Sequence, residues 1–450
     1  MAVTFTLEEL GSRIGEAAPT LEAWQRLGLL SAAPFDAKDL ERGRLFQFLV
    51  RHGISAERIA EASDANLSAS IDRYLATVLP SGSSGVSTIE QATARTGLLQ
   101  PTLTRLADAV GVGSGGFFTD DDVSMLEWWG RAIAAGMPEE AVVQLVRVYR
   151  EGLGRIAEAE VRLFHFYVHE SLRATGLTAE ALREATEERS AKLLPMIAPA
   201  LAYFHRLGFA RAEREDMLLH LAGDDRPILD VPGQLAAGVV FVDLASFTPL
   251  TDAMGDVEAA AILARFAELV HQVTEEHAGR SVKQIGDGFM LLFFEPQASV
   301  AAALEIVRRV GDETSLAACA GVHWGQIVYR EGDYYGGAVN LSARLADAAE
   351  RHQVVTTAAV REQVGDPDGV EFLLLGSRIL KGVLEPQELF EVRRVGEARA
   401  QRLRDLVCGM ELAQSEVAVR LELEGAERVF CSETCLRHFV AAPARYLGGA

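Results

Sequence analysis

Val239-Val240-Phe241-Val242-Asp243-Leu244-Ala245-Ser246-Phe247-Thr248 is the stretch on which the reading of this chain turns. Three valines and a phenylalanine favour a buried strand that delivers Asp243 to its end. Phe247-Thr248 then opens a helix. A carboxylate at a strand end, facing the free amides of a helix start, suits a metal-bound polyphosphate. About forty residues on, Ser281-Val282-Lys283-Gln284-Ile285-Gly286-Asp287-Gly288-Phe289-Met290 reads as a hairpin with Gly-Asp-Gly at its turn. Any tight turn accepts Gly-Asp-Gly, so the hairpin alone says little. Laid beside the first strand, it brings Asp287 next to Asp243. Two such carboxylates can bridge a pair of Mg²⁺ ions about 4 Å apart.

Outward from this pair the pattern is mixed α/β. It predicts strands or hairpins at 238–244, 281–294, 316–329 and 372–392, and helices at 256–277, 298–311 and 337–349. The landmarks become specific when taken in order. Phe241-Val242-Asp243-Leu244…Phe247-Thr248 is followed by Lys283-x-x-Gly286-Asp287 and Gly321-x-His323-x-Gly325. Next come Asp333-Tyr334-Tyr335-Gly336-x-x-Val339-Asn340-x-x-x-Arg344-Leu345 and Leu380-Lys381-Gly382. Together they resemble the class III nucleotide cyclase domain, end to end, across residues 235–396.

The resemblance implies a ferredoxin-like α/β domain that converts ATP to 3′,5′-cyclic AMP and pyrophosphate. It implies two Mg²⁺ or Mn²⁺ ions per site, held by Asp243, Asp287 and the Leu244 backbone. Lys283 and Asp333 match the residues that read the adenine edge, where guanylate cyclases carry other types. Asn340 matches the residue that positions the ribose, and Arg344 the one that neutralises charge on the α-phosphate. Lys381 matches a lysine on the terminal phosphates, and Phe247 and Thr248 belong to the substrate-binding loop. In this family the aspartates come from one subunit and the Asn/Arg pair from the other. All positions are filled here, which implies a homodimer with two equivalent sites. Ser246 departs from the glycine many relatives carry.

The chemistry agrees with those roles. In-line attack of the 3′-oxygen needs positioning and charge stabilisation more than covalent help. Arg344 lies four residues after Asn340, so both can face one cleft. His323 sits in a strand-rich segment, where packing is the better reading than catalysis.

Composition sets the wider bounds. The chain has 450 residues, 49% apolar and 24% charged, so several packed domains are expected. Sixty-four acidic against 43 basic residues give a net charge of −21, which disfavours nucleic acid and anionic membrane as partners. No uninterrupted apolar run of ~18 residues occurs and the first ten residues lack a signal-peptide pattern, so a cytoplasmic protein is expected.

Residues 1–222 read as all-α and contain an internal repeat. Thr6-Leu7-Glu8-Glu9-Leu10, Thr20-Leu21, Phe35-Asp36 and Gly53 recur as Thr88-Ile89-Glu90-Gln91-Ala92, Thr102-Leu103, Phe118-Thr119 and Gly136. The segment from Thr20 to Leu40 resembles the helix-turn-helix of the MerR family, and the second copy a diverged version of it. In that family the recognition helix is basic where this chain has Glu22 and Thr104. Residues 1–60 hold seven basic against eight acidic side chains. A scaffold reused for protein contacts fits this balance, and DNA binding does not. The expected role is regulation of the cyclase by a helical domain that dimerises. His165 and His169 share a helix face beside Phe164, Phe166 and Tyr167. They suit a pH-sensing or metal-binding pair, or two histidines on a buried aromatic helix; the apolar run suits core packing or a lipid or small-molecule pocket.

The tail carries Cys408-Gly409-Met410, Phe430-Cys431-Ser432-x-x-Cys435-x-x-x-Phe439, Pro443 and Tyr446, and resembles a YHS domain, a small module akin to the TRASH metal-sensing motif. Cys408, Cys431 and Cys435 suit Zn²⁺ or Cu⁺, or are buried structural thiols. The expected boundaries are 1–80 and 81–222 for the two repeats with their extension, 223–234 for a linker, 235–396 for the cyclase and 397–450 for the tail. A competing class of reading is a DNA-binding or metal-sensing regulator with a vestigial cyclase domain.

Overall fold

The structure is a computed structural model that describes residues 4–63, 71, 74–75, 86–113, 117–221, 232–245, 247–314, 316–396, 403–412, 414 and 417–447. Ser246, the 81–85 joint, most of the 223–234 linker and residues 397–402 lie outside the described residues. The chain divides into two compact units, 1–226 and 227–450.

In the first unit the sequence repeat recurs in its capping chemistry. Thr6 and Thr88 each open a helix, Leu7–Ile14 and Ile89–Thr96, with a capping box closed by Glu9 or Gln91. Gly15 and Gly97 end those helices at φ 75° and 68°, where only glycine is free of strain. The next helices, Ala18–Arg26 and Gln100–Val110, both carry proline in the first turn. The third helices, Ala37–Arg51 and Asp120–Ala134, are again opened by capping boxes, at Asp36 and Thr119. Strand β1 (Val86–Ser87) pairs with β2 (Phe118–Thr119) where the first copy has a single bridge between Phe5 and Phe35. Each copy buries its own cluster, around Leu21, Trp24 and Phe46 in the first and Leu103, Leu126 and Val142 in the second.

Long helices follow: Glu139–Phe164, a π-helical turn at His165–His169, then Glu170–Ala174 and Ala179–Leu221. The buried aromatic helix considered from sequence is not what forms here. Phe166 and Tyr167 are 58% and 75% exposed, so among the described residues nothing covers them. Helix Ala179–Leu221 likewise exposes Leu194, Met196, Tyr203, Phe204 and Phe209. By length and composition its Glu180–Met217 portion is also apolar enough to cross a membrane.

The second unit is built on an eight-stranded mixed sheet. Its strands are β3 (Gln234–Ala245), β4 (Arg280–Ile285), β5 (Gly288–Phe293), β6 (Ala317–Arg330), β7 (Asp333–Tyr335), β8 (Val354–Thr357), β9 (Val370–Arg378) and β10 (Gln387–Arg394). The order is β4-β5-β3-β6-β8-β10-β9, with β7 paired to β6. Among the described strands of this sheet, only β6 and β8 run parallel. The strand-like segment expected at 372–392 is two strands, β9 and β10, joined by a turn that carries Lys381. Strand β8 and the helix Ala358–Val364 after it carry too short a pattern to be read from sequence.

Alternation along β3 divides its side chains between two cores. Val240, Val242 and Leu244 pack under helices Asp256–Glu276 and Pro296–Glu313. Ala237 and Val239 face the other way, with Met290, Leu292 and Tyr334. Helix Gly337–Ala348 lies on that second face, fastened by the Ser342 hydroxyl, which reaches the carbonyls of Val239 and Gly321 at 2.7 and 2.9 Å. Gly321 makes this approach possible: a Cβ there would stand 2.3 Å from the Ala346 nitrogen and 2.4 Å from the Ser342 carbonyl oxygen. Strands β11 (Leu403–Arg404), β12 (Glu411–Leu412), β13 (Val419–Leu423) and β14 (Ala426–Phe430) and helices Glu433–Ala441 and Pro443–Leu447 complete the unit. Their apolar residues Val407, Phe430 and Phe439 join the same buried cluster as Leu250 and Val300. The tail therefore shares a core with the sheet.

Because the atoms facing Gly321 are helix backbone, Gly321→Ala is expected to destabilise this unit by about 2 kcal/mol or more. Calorimetry of the full chain would show a transition moved to lower temperature; an unchanged thermogram would contradict the close helix–sheet packing.

Candidate active site

Register decides which side chains meet. Phe241 is paired with Met290 across β3 and β5, and Met290 with Lys283 across β5 and β4. Directly opposed residues project to one face, so Lys283 and Phe241 share a face. Asp243, two residues beyond Phe241, shares it too. Gly286, at φ 63°, turns the β4–β5 hairpin and sets Asp287 at its tip. Gly288 lets the hairpin close on the strand, for a Cβ there would stand 3.2 Å from the Val242 carbonyl oxygen and 3.3 Å from Asp243 Oδ1.

The outcome is a crowded carboxylate pair. Burial pushes the Asp243 pKa up to about 6, aided by the charge of Asp287 and opposed by the Leu244 N–H. That amide donates to Asp243 Oδ1 at 3.0 Å. Beneath the pair, Cys319 is buried and its thiol is pushed up to about 12, chiefly by burial and then by Asp243, so it stays a thiol.

At the far end of β6 the short strand β7 pairs with it antiparallel, Asp333 opposite Arg330. Asp333 forms an ion pair with Lys283, although β4 and β7 are not neighbouring strands. Tyr334 is held beside it, accepting a hydrogen bond from Arg280 at 3.1 Å. A cation and an anion thus stand side by side, both part-exposed.

The other expected residues lie elsewhere on the unit. Asn340 is exposed and Arg344 half-buried on helix Gly337–Ala348, away from the residues Ala338, Ser342 and Leu345 that face the sheet. Arg344 is held by Asp347 at 2.6 Å. Among the described residues, neither Asn340 nor Arg344 bonds to Asp243, Asp287, Lys283 or Asp333. Phe247 packs on the core while Thr248 is exposed in the first turn of helix Phe247–Met254. Lys381 is exposed in the turn between β9 and β10. His323 is bonded to the Thr357 hydroxyl at 2.8 Å, and burial drops its pKa to about 4. It is a neutral packing residue at neutral pH. Sequence reasoning passed over Asp347, whose spacing of three residues from Arg344 is the signal that would have found it.

A second cluster gathers the tail thiols. Cys408 and Cys431 sulfurs lie 3.6 Å apart, as do those of Cys431 and Cys435. Hydrogen bonds from the other two thiols pull Cys435 down to about 4, and Cys408 is raised by the same contacts and by burial. His165 and His169 form a third grouping, their rings stacked at 5.4 Å, with Glu170 3.7 Å from His165.

Two family descriptions match this chain. "Adenylate and Guanylate cyclase catalytic domain" covers residues 232–392, and "Adenylate cyclase regulatory domain" covers 28–209. An uncharacterised protein of Mycobacterium tuberculosis (strain H37Rv) is 32% identical over 289 residues, which span 62% of this chain and 70% of that one. The chain belongs to the class III cyclase family. A relative named pH-sensitive adenylate cyclase, from Mycobacterium tuberculosis (strain CDC 1551), is 29% identical over 59% of this chain and 66% of its own. Among solved structures, the adenylyl cyclase CyaB from P. aeruginosa aligns at 17% identity, over 37% of this chain and 97% of that chain, with a TM-score of 0.33. The protein is accordingly an adenylate cyclase, with a regulatory domain of that family's type in its helical half.

The carboxylate pair suits the divalent ions that class III cyclases use. Hard oxygen donors converge there, and Gly288 leaves unfilled the space a Cβ would take from Asp243. Without metal the pair is a liability. A raised carboxylate pKa means that ionised Asp243 destabilises the fold; the cost is fully present above pH about 6 and fades as pH falls toward its ordinary value of 3.8. Asp243→Asn keeps the Leu244 bond and removes the charge. In metal-free buffer at pH 8 the variant is expected to melt about 2–4 °C higher, on about 1 kcal/mol after discounting for partial exposure. The gap should close by pH about 4. A variant melting at or below wild type at pH 8 would contradict the frustrated pair.

Proposed function

We propose that this adenylate cyclase works as a homodimer with two equivalent sites. Each site would be assembled from Asp243, Asp287, Lys283 and Asp333 of one chain and Asn340 and Arg344 of its partner. The position of Asn340 and Arg344, off the sheet-packed face of their helix and unbonded to the carboxylates, supports a shared site. Two Mg²⁺ or Mn²⁺ ions held by Asp243, Asp287 and the Leu244 carbonyl would activate the 3′-hydroxyl and steady the leaving pyrophosphate.

The chain's own residues do the rest by position and charge. The Lys283–Asp333 pair is the observation that carries the choice of ATP. Adenine offers an acceptor at N1 beside a donor at its 6-amino group, and guanine reverses both. Lys283 donates to the first and Asp333 accepts from the second, so entry of the base exchanges their mutual ion pair for two matched bonds. Asn340 orients the ribose so that O3′ lies in line with the α-phosphorus. Arg344 neutralises the charge that grows on the α-phosphate oxygens, released from or shared with Asp347. The free amides of helix Phe247–Met254, with Thr248 in its first turn, and Lys381 engage the outer phosphates.

The helical half would regulate this site. The exposed apolar face of helix Ala179–Leu221, with the aromatic residues near His165, supports a dimer contact in that half. The MerR-like helix-turn-helix copies act there in protein contacts, since Glu22 and Thr104 replace the charge that a duplex would need. His165, His169 and the apolar run beside them are the place for a pH, lipid or small-molecule signal. The net charge of −21 disfavours DNA and an anionic membrane as partners, and the enzyme's proposed setting is the cytoplasm.

Purified full-length protein with Mn²⁺ is expected to form cyclic AMP from ATP and little cyclic GMP from GTP, and Asp243→Ala to form neither. Lys283→Ala should lower kcat/KM for ATP about 10- to 150-fold, the worth of one hydrogen bond from a charged group. Quantifying both cyclic products by mass checks this. Equal use of ATP and GTP, or a Lys283→Ala enzyme with unchanged preference, would overturn the assignment of the base site.

A further inference from the structure

The far end of helix Gly337–Ala348 is held by chain that lies about sixty residues further on. Between Ala348 and β8, the turn at 349–353 presents Arg351 and His352 to the tail. Glu411 of β12 meets both. One of its carboxylate oxygens accepts from Arg351 Nε at 2.9 Å, and the other pairs with His352 Nε2 at 2.5 Å. Arg351 also donates to the Gly409 carbonyl at 2.5 Å. The Glu411 side chain is only 11% exposed, so these two partners take over most of what water would supply. Burial pushes its pKa up, but the bonds from His352 and Arg351 outweigh it and hold it at about 2. Glu411 is ionised wherever the protein is folded near neutral pH.

The turn itself has one conformation. His352 takes φ 58°, a backbone that a non-glycine residue keeps only where its surroundings hold it. Its N–H donates to the Ala318 carbonyl at 2.8 Å, and the Ala320 N–H donates to the Gln353 carbonyl at 2.9 Å. Its ring lies against helix Pro296–Glu313 at Gly311, where a Cβ would stand 3.1 Å from Cε1. A largely buried ion pair adds little net stability over apolar side chains of its size, because desolvation offsets the attraction. What it adds here is direction: Glu411 fits this turn only with Arg351 and His352 placed as they are.

Arg344 stands one helical turn before Ala348, and its ion pair is to Asp347 of the same helix. Its aim therefore follows the helix, and the helix end follows the turn. Displacing a charge-stabilising group by 1 Å can cost about a hundredfold in rate. A second route to the chemistry also starts at this turn. Cys319, between Ala318 and Ala320, is paired with Asp243 across β6 and β3, so a loosened turn could instead disturb the aspartate of its own chain.

We propose that Glu411 is a positioning residue for ring closure: by holding Arg351 and His352 it fixes the end of helix Gly337–Ala348, and through it Arg344, for a site whose aspartates belong to the partner chain. This rests on the shared-site reading above. It gives the tail a part in the chemistry, exercised across the dimer on the site to which its own chain lends Asn340 and Arg344.

The test uses full-length Asp243→Ala and Arg344→Ala chains, co-expressed with different tags so that mixed dimers can be purified. Their one working site takes Asp243 from the Arg344→Ala chain and Arg344 from the Asp243→Ala chain. Glu411→Gln would be added to either chain in turn. On the Asp243→Ala chain it is expected to lower kcat for cyclic AMP about tenfold or more with KM for ATP little changed, since the interaction lost is one made in the transition state. On the Arg344→Ala chain it should change neither. His352→Asn removes the ring nitrogen that Glu411 pairs with while keeping a residue that tolerates positive φ. It should repeat the pattern, and it decides the matter if Glu411→Gln fails to fold.

Equal losses in the two placements are what a merely structural role gives, and they overturn the proposal, as does no loss in either. A loss confined to the Arg344→Ala chain overturns it in favour of the route through Cys319 and Asp243. If mixed dimers without any Glu411 change form but make no cyclic AMP, the shared-site reading fails first and takes this route with it.

Discussion

Two carboxylates that repel each other set the terms for this molecule. Asp243 ends a strand whose neighbours are almost entirely apolar, and the β4–β5 hairpin presses Asp287 against it through glycines on either side of the turn. The packing of Val240, Val242 and Leu244 into one core and of Val239 into the other leaves β3 no freedom to slip. A slip of one residue would exchange the faces and move Asp243 under the helices. The sheet's burial energy therefore offsets the cost of a charged pair that a cation or a proton relieves. A carboxylate pKa of about 6 is the visible trace of that conflict.

The same register places the Lys283–Asp333 pair and the helix that bears Asn340 and Arg344. Lys283 inherits its direction from pairing with Met290 and meets Asp333 of β7, while Gly321 lets helix Gly337–Ala348 lie close on the sheet. Ser342 then pins that helix to two strand carbonyls, and its outer face carries Asn340 and Arg344. A sheet-facing anchor and an outward-facing Asn/Arg pair on one short helix are the geometry that the proposed shared site calls for.

Much of this was legible in the chain. Valine-rich β3, the Gly-Asp-Gly hairpin and helix Gly337–Ala348 are local patterns, and each forms where the sequence puts it. The 82-residue offset between Thr6 and Thr88 marked a repeat, and the structure adds the paired capping boxes that it encodes. What escaped was long-range or unpatterned. Glu411 reaches Arg351 and His352 across about sixty residues of chain, and nothing in a single sequence marks that pairing. The exposure of Phe166 and Tyr167 escaped too, since helical spacing of aromatic residues says that a face is apolar and not what covers it.

The division of one site between two copies is the claim on which the account stands, and mixing two dead enzymes tests it most directly. Asp243→Ala and Arg344→Ala chains would be co-refolded or co-expressed and assayed for cyclic AMP beside each variant alone. Random pairing makes half the dimers mixed, each with one intact site of two, so activity should return to about a quarter of wild type. Two inactive variants that stay inactive together, while forming mixed dimers, would show that the aspartates and the arginine must act within one chain.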